Sequence, residues 1–208
     1  MDLLGESPMR TRILAGAVAA FSRQGFASCP VQYILEAAGV SRRTFYRLFA
    51  NKEEVLDALF ELATRWLVEQ IRSAVDTEAD LTTKLARGID AFLALQEHAG
   101  RLLPELMAEA QRPDSRLSAR HERTLDEITS LFAEGVNARL GYEVDPLVFR
   151  GLLLTLEGVI LHLGHKGSFT REDAQHVRRV ILPLMARVVA EPGIEPPALP
   201  QAGDADLR

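Results

Sequence analysis

The fold is decided by residues 34–49, which read ILEAAGVSRRTFYRLF. Apolar residues recur here at spacings of three and four, which predicts two short helices on either side of Gly39. Ser41 is a good N-cap for the second helix, because its hydroxyl can accept a backbone N–H bond. Two short helices joined by a glycine turn predict a helix-turn-helix unit over residues 31–50, whose second helix enters the major groove of DNA.

The second helix of this unit carries the side chains that we expect to meet DNA. The predicted DNA-contacting set is Arg42, Arg43, Thr44, Phe45, Tyr46, Arg47 and Lys52. The first three lie at the start of the helix, where arginine can bond guanine O6 and N7 and threonine can touch a base edge. The last three are hydrogen-bond donors placed for phosphates, which position a protein without reading sequence. Phe45 can also hold the two helices together.

Charge is divided unevenly along the 208 residues. The whole chain has a net charge of −5, whereas residues 1–52 have seven basic against three acidic side chains, a net +4. The remainder therefore has a net charge of −9. A small basic segment on an acidic body is typical of a protein that meets a polyanion at one end only.

The rest of the chain predicts an all-α protein, since no convincing strand pattern is present. Predicted helices cover about residues 8–24, 30–38, 42–49, 51–74, 81–98, 101–111, 115–140, 145–164 and 171–190. We therefore expect about nine helices in two parts. A three-helix DNA-binding domain over residues 9–56 is followed by a ligand-binding and dimerisation body over residues 57–190. The proline-rich tail over residues 191–208 is expected to be disordered.

Composition places the chain among soluble cytoplasmic proteins. Apolar residues make up 47% and charged residues 25% of the sequence, which are ordinary values for a globular fold. Cys29 is the only cysteine, so we expect no internal disulfide. The first residues lack a secretory signal, and polar side chains interrupt the densest apolar run, residues 151–163. We therefore expect no membrane span.

The body is expected to enclose a small-molecule pocket, with apolar walls and a few polar anchors. The predicted pocket set is Trp66, Phe92, Gln96, Met107, Phe132, Phe149 and Glu157. Each of these side chains can instead belong to the plain core. Glu157 stands out, because an unpaired carboxylate in an apolar helix is costly. We expect it to pair with Arg150, a ligand amine or a partner chain.

Residues 10–56 resemble the DNA-binding domain of the TetR family of bacterial transcriptional regulators. The resemblance rests on the apolar helix over residues 13–21, GF at 25–26, AAGVS at 37–41, TFY at 44–46, Phe49 and KE at 52–53. It implies a homodimer that binds a palindromic operator and a body that holds a small-molecule effector. It also implies phosphate contacts from Tyr46 and Lys52.

Three positions depart from the usual pattern of that family. Arg43 stands where glycine or another small residue is common, and it can add a base or phosphate contact. Leu35 stands where alanine usually lets the two helices approach, so we expect the helix pair to be slightly repacked. Cys29 stands where threonine usually caps the second helix, and cysteine is a poor cap.

The resemblance further implies that the last two helices form a four-helix dimer interface. Residues 147–163 are apolar nearly all round, so this helix must be covered on more than one side. The predicted dimer set is Leu152, Leu156, Val159, Leu163, Val177, Ile181 and Leu184. The alternative is that both helices are core helices of a monomer.

Together these patterns predict a DNA-binding repressor that a small-molecule effector releases from its operator. One alternative is an all-α enzyme or metal-binding bundle that uses Glu157, His162 and His165, since histidines three residues apart share a helical face. Another is an interaction module that keeps the fold and no longer reads DNA. No glycine-rich phosphate loop, nucleophile elbow or zinc-finger spacing is present, so we expect no enzymatic activity, no cofactor and no resident metal.

Overall fold

Nine helices and no strand make up the part of the chain that the structure describes. This computed structural model covers residues 7–77, 79–99, 102–140, 143–164 and 169–190, with the backbone alone at 98–99 and 138–140. The helices are α1 (Pro8–Gln24), α2 (Val31–Ala38), α3 (Arg42–Leu48), α4 (Lys52–Val75), α5 (Leu81–Ala99), α6 (Leu102–Ala110), α7 (Ser118–Leu140), α8 (Pro146–Gly164) and α9 (Arg171–Ala190). The all-α prediction is confirmed. The predicted tail 191–208 and His165 lie outside the described residues.

The helix ends follow local capping chemistry. Ser7, Ser41 and Asn51 each accept a backbone N–H bond at the start of α1, α3 and α4. At α9, the Asp173 N–H donates to Thr170 Oγ1 at 3.2 Å, and the Thr170 N–H donates to Asp173 Oδ2 at 2.9 Å. This reciprocal pair confirms the capping box expected from the sequence.

One helix begins later than the sequence predicts. α7 starts at Ser118 instead of near residue 115, because residues 111–117 form a series of turns. Ser115 Oγ accepts the Leu117 N–H at 3.1 Å, and Asp114 pairs with Arg112 at 3.0 Å. The two side chains expected to cap the helix are thus engaged within the turns.

α1, α2 and α3 form the head, which we define as residues 8–50. Gly16 on α1 allows α2 to cross closely, since a Cβ here would lie 2.6 Å from the backbone nitrogen of Ala38. Arg12 Nη2 donates to the carbonyl oxygens of Ala38 and Gly39 at 3.0 Å each. These bonds satisfy carbonyls at the end of α2 that have no partner within the helix.

The body, α4–α9, is built around α4. This helix is continuous from Lys52 to Val75, so the predicted boundary between residues 56 and 57 falls inside it. α4 packs against α5 and α7, while α9 packs against α5 and α8. α6 contacts α1 of the head as well as α5, α7 and α8. It therefore contacts both the head and the rest of the body.

α8 is covered on one side only. It is long and apolar enough to cross a membrane by length and composition, and 33% of its most apolar window is buried. Phe149, Leu156 and Ile160 face the core, whereas Leu147 and Leu154 are exposed. The protomer thus leaves a second apolar side of this helix uncovered.

Candidate nucleic-acid interface and effector cavity

α3 presents a polar face to solvent. Ser41 Oγ accepts the Thr44 N–H at 3.1 Å and lies 2.9 Å from Thr44 Oγ1, which fixes the start of the helix. The exposed side chains are Arg42, Arg43, Tyr46 and Arg47, and Thr44 is half-buried. Three cations and a phenol on a helix of 7 residues form a surface complementary to a polyanion.

Phe45 does not belong to this face. Its side chain is 0% exposed, and its ring centroid lies 5.3 Å from that of Tyr46 and 6.0 Å from that of Phe49. A ring buried in the head cannot contact DNA, so the structure removes Phe45 from the predicted DNA-contacting set. Its place between the helices fits the other expectation, that it holds them together.

The three arginines of α3 differ in how they are held. Arg42 Nη2 donates to Gln32 Oε1 at 3.3 Å, and Gln32 Nε2 donates to Glu36 Oε1 at 2.9 Å. These bonds tie the Arg42 guanidinium to α2. Arg43 and Arg47 form no hydrogen bond or ion pair with any residue that the structure describes, so both remain open to an external anion.

Lys52 is committed to the backbone of the head. Its Nζ donates to the carbonyl oxygens of Phe26, Ala27 and Cys29 at 2.9, 3.0 and 3.2 Å, and it lies 4.8 Å from the centroid of the Phe26 ring. An ammonium group has three N–H donors, and the three carbonyls use all of them. The phosphate contact that the family resemblance implies would require Lys52 to give up one of these bonds.

Cys29 is buried beside this lysine. Its Sγ donates to the carbonyl oxygen of Pro30 at 3.6 Å. Burial raises the pKa of the Cys29 thiol, and the charge of Lys52 offsets part of that rise. Pro30 is the N-cap of α2, and no side chain bonds to the start of that helix, in keeping with the expectation that cysteine caps poorly.

One hydrogen bond joins α6 to the head. Glu105 Oε2 accepts the Phe26 N–H at 2.8 Å, in the same turn whose carbonyls bind Lys52. Gly25 precedes this N–H with a φ of 73°, and a Cβ there would lie 3.3 Å from Glu105 Oε1. The turn between α1 and α2 is therefore held by α4 on one side and by α6 on the other.

A cavity lies among the helices of the body. It is lined along α4 from Phe60 to Ile71 and along α7 from His121 to Phe132, a length of about 16 Å at about 1.5 Å per residue. Its volume is about 50 Å³, which is room for a few water molecules. A larger molecule must therefore push the surrounding helices apart to enter.

Four of the seven predicted pocket residues line this cavity: Phe92, Met107, Phe132 and Glu157. Phe149 lies behind Phe132, with the two rings stacked at a centroid distance of 6.2 Å. Gln96 is fully buried, with Nε2 3.4 Å from the sulfur of Met107 and with no partner for Oε1 among the described residues. Trp66 is half-buried and lies outside the lining.

A buried polar pair faces the cavity. His121 Nε2 on α7 lies 3.0 Å and 3.1 Å from the two carboxylate oxygens of Glu157 on α8, and Gln111 Nε2 donates to Glu157 Oε2 at 3.4 Å. Burial lowers the pKa of His121, but the hydrogen bond and the charge of Glu157 outweigh it. The pKa of His121 therefore lies above its ordinary value.

The partner of Glu157 is a residue that sequence reasoning missed. Arg150, which the sequence offered as that partner, instead pairs with Glu122 and Asp126 on α7. His121 and Glu157 are separated by 36 positions along the chain, so no helical spacing links them. Only the packing of α7 against α8 brings the two side chains together.

Comparison with known proteins places the head in a family. Residues 13–59 match the model described as bacterial regulatory proteins, tetR family. The match covers nearly all of the head and the start of α4, the elements that carry the polar face of α3. Residues 13–59 form a TetR-family domain.

Individual relatives share a smaller part of the sequence. The HTH-type transcriptional repressor KstR2 of Mycobacterium tuberculosis (strain ATCC 25618 / H37Rv) is 31% identical over 103 residues, 50% of this chain and 52% of the relative. The chain thus spans about half the length of the curated relatives it matches. The fatty acid degradation regulator FadR from Bacillus halodurans has a TM-score of 0.72 at 24% identity, over 87% of this chain and 96% of its own. FadR from Bacillus subtilis, solved in complex with stearoyl-CoA, has a TM-score of 0.70 at 19% identity, over 85% and 97%.

Most of the predicted dimer set faces inward. Leu152, Leu156, Val177 and Ile181 are buried within the protomer, and Val159 and Leu163 are half-buried. Of the predicted set only Leu184 is exposed. Four of the seven predicted residues are therefore core residues of the protomer. A helix that is apolar nearly all round gives no periodicity to separate its core side from its outer side.

The uncovered apolar side lies elsewhere on the same two helices. The α8–α9 face consists of Leu147, Gly151, Leu154, Gly158, Val180, Leu184 and Val188. Spacings of three and four put its α8 members in one row and its α9 members in another. A Cβ at Gly151 or Gly158 would meet no atom within 4 Å. Another helix could therefore approach α8 closely along this face.

The histidines singled out by the sequence do not form a described site. His162 is exposed near the end of α8, and His165 lies outside the described residues. Across the described ranges, no three His, Cys, Asp or Glu side chains converge in a way that could hold a metal ion.

Proposed function

We propose that this protein is a transcriptional repressor that reads a palindromic operator as a homodimer and leaves it when an elongated apolar effector enters the body. The observation that carries this proposal is the outer face of α3. There Arg43 and Arg47 have no partner in the described part of the chain, whereas Arg12 and Lys52 are bonded to backbone carbonyls. Unpaired cations on a fixed helix are what phosphates and guanine edges require.

The residues of α3 take different roles in this proposal. Arg42, Arg43 and Thr44 lie at the N-terminal end of the helix, where side chains reach base edges. Tyr46 and Arg47 lie further along and contact phosphates. Lys52 supports DNA binding indirectly, because it holds the turn between α1 and α2. Phe45 does so by holding α3 against the other helices of the head.

Dimerisation supplies the second half-site. We place the dimer interface on the α8–α9 face, where two protomers would pack four helices and cover the exposed leucines and valines. Isolated apolar side chains on a surface are ordinary, but a contiguous apolar face marks an interaction site. Two heads related by a twofold axis would then meet half-sites about 34–36 Å apart, or a multiple of this distance.

The cavity supports an apolar effector, and α6 supports its coupling to DNA. Bacillus subtilis FadR, which shares this fold, was solved with stearoyl-CoA, so a long acyl chain is a reasonable candidate here. Leu103 and Met107 of α6 line the cavity, while Glu105 of the same helix bonds to Phe26 of the head. An effector that widens the cavity would displace α6 and favour a different head orientation. Operator affinity then falls by up to the factor by which the effector binds the displaced conformation more tightly than the DNA-binding conformation.

Selection of bound DNA from a random pool, at a stated salt concentration, tests the proposal. We expect the full chain to enrich an inverted repeat. Arg43→Ala should alter the selected sequence, whereas Arg47→Ala should weaken binding to all sequences alike. Arg65→Ala is the matched control, because Arg65 is an exposed body cation paired with Glu61. If no inverted repeat is enriched over random DNA, the proposal fails.

Release is tested separately with the selected operator. Stearoyl-CoA, titrated into the complex in a gel-shift experiment, should dissociate the wild-type protein. An operator complex that stearoyl-CoA leaves intact would discard the acyl effector and retain the DNA-reading part of the proposal.

A further inference from the structure

We infer that the His121–Glu157 pair makes the cavity select chains that end in an uncharged hydrogen-bond donor, such as a primary amide or an alcohol, against the corresponding free carboxylic acids. This inference rests on the proposed function, since it assumes an elongated apolar effector in the body. It adds the chemistry of the effector's polar end.

The pair lies at one end of the cavity. Arg120, the neighbour of His121 in the chain, pairs with Glu61 on the early part of α4 at 3.2 Å. Further along the same two helices, a Cβ at Gly135 would lie 2.9 Å from Val75. α4 and α7 therefore run in the same direction, and His121 marks the end of the cavity nearer the head. A chain that fills the apolar length places one terminus against the pair.

No other polar side chain of the lining competes for that terminus. The Thr64 hydroxyl donates to the Phe60 carbonyl oxygen at 2.9 Å, and the Thr124 hydroxyl donates to the Arg120 carbonyl oxygen at 3.0 Å. Both are satisfied by their own helices. Among the described residues of the lining, His121 and Glu157 are thus the groups that meet a polar ligand atom.

The charge of the pair determines which group it accepts. When His121 is protonated, its charge and that of the Glu157 carboxylate 3.0 Å away cancel, so the pair carries no net charge. A ligand carboxylate would place a second negative charge beside Glu157, and His121 is the one cation that could pair with either of them. An unpaired charge is costly in an apolar cavity. The ligand amine, one of the partners that the sequence offered for Glu157, is not needed, because His121 already pairs with this carboxylate.

An uncharged group can bond to the same atoms. The carboxylate oxygens of Glu157 retain lone pairs that accept an N–H or O–H from a ligand. Gln111, which donates to Glu157 Oε2 at 3.4 Å, is exposed and lies outside the lining of the cavity. A primary amide can donate its N–H groups to the Glu157 oxygens, whereas a carboxylate has no proton to donate.

Decanoate and decanamide test the inference, because they match in length and nearly in shape and differ in charge. Their binding to the full chain is measured by titration calorimetry at neutral pH. We expect the wild-type protein to bind decanamide tighter by about tenfold, or about 1.4 kcal/mol. Equal binding, or tighter binding of decanoate, would overturn the inference.

Glu157→Gln isolates the residue responsible. It leaves His121 as the only ionisable member of the pair, so decanoate should gain affinity and the order of the two ligands should reverse. Glu122→Gln is the control: it removes one carboxylate close to His121 in sequence, but Glu122 is exposed and bonds to Arg150. A preference that survives Glu157→Gln, or that is lost in Glu122→Gln, contradicts the assignment.

Two further results complete the test. If Glu157→Gln does not fold, the double variant His121→Gln with Glu157→Gln removes both ionisable groups and should bind the two ligands with a smaller difference than the wild type. If neither ligand binds the wild type, the cavity does not take an alkyl chain of this kind and the inference falls. Operator selection does not involve the cavity, so that failure is separate from a failure of DNA reading.

Discussion

The head and the cavity of the body satisfy their polar groups in different ways. Backbone carbonyls of the head accept bonds from Arg12 and from Lys52 at the start of α4, and Gly16 lets α1 and α2 touch. In the body, His121 and Glu157 satisfy each other beside a cavity. Bonds to backbone carbonyls fix the orientation of the head helices, because a carbonyl cannot move without the helix or turn that carries it. Side-chain pairs around a space can rearrange when a ligand enters.

The largest expected effect tests whether operator binding by the head depends on dimerisation through the body. Leu184→Asp together with Val180→Asp puts two charges on the α8–α9 face, where both side chains are exposed in the protomer. We expect a folded monomer whose operator affinity falls about 100-fold or more, since two linked heads bind more tightly than one. Sedimentation and gel shift measure the two effects. Gln175→Asp, an exposed change on α9 outside that face, should leave the dimer intact.

A smaller effect tests the close packing of the head. Gly16→Ala adds a methyl group that would lie 2.6 Å from the Ala38 backbone. Overpacking should lower the free energy of unfolding by about 1–3 kcal/mol, although alanine is the better helix former. Denaturant unfolding measures the change. Ala15→Leu, on the exposed side of α1, should change stability by no more than about 0.5 kcal/mol. If Gly16→Ala and Ala15→Leu are equally stable, α1 and α2 do not pack closely at Gly16.

Lys52 and Arg47 separate cations that hold the fold from cations that meet DNA. Lys52→Met removes three bonds to backbone carbonyls and should cost about 1–3 kcal/mol of stability. The salt dependence of operator binding should remain as in the wild type. Arg47→Met should leave stability unchanged and reduce the salt slope by about 1. The reverse pattern would restore Lys52 to the phosphate contact that the sequence predicts.

Glu105 tests the connection between the two regions. Glu105→Ala removes the acceptor of the Phe26 N–H, and we expect faster hydrogen exchange at Phe26 and weaker discrimination between operators of different half-site spacing. Glu105→Gln keeps an acceptor oxygen and should restore both properties in part. Glu109→Ala removes the same charge from the same helix, where Glu109 contacts only Arg112 at 3.6 Å. A spacing preference unchanged by Glu105→Ala would show that the head is oriented by α4 alone.

The smallest effect concerns pH in the body. The pKa of His121 is raised in the folded protein, where Glu157 and Glu122 favour its charged form against burial and Arg150. The stabilisation by this pair is complete below the ordinary pKa of histidine and is lost as the pH rises through the raised value. Unfolding at a series of pH values should show the loss in the wild type and its absence in His121→Gln with Glu157→Gln. A parallel decline in both proteins would assign it to other groups.

Local rules sufficed for the elements of the head. Ser41 caps α3 and Gly39 ends α2 because both act on backbone groups within a few residues, and such rules can be applied to a sequence directly. The polar face of α3 follows from the same short segment. Two features of the predicted DNA-contacting set were not visible for a common reason: Phe45 is buried and Lys52 is bonded to carbonyls 23 to 26 positions away. Neither fact is visible within one helix.

The sequence by itself determined the nine helices of the described residues, their order, the basic outer face of α3 and the apolar stripes of the body helices. Each of these depends on the period of the chain or on residues close together in it. Tertiary structure alone decided that His121 is the partner of Glu157, that Glu105 reaches the head and that α8 turns Leu147 and Leu154 outward. These outcomes depend on which helices pack together and in what rotation. A helix that is apolar nearly all round, such as α8, has no favoured rotation about its own axis, so packing against its neighbours decides which side is buried.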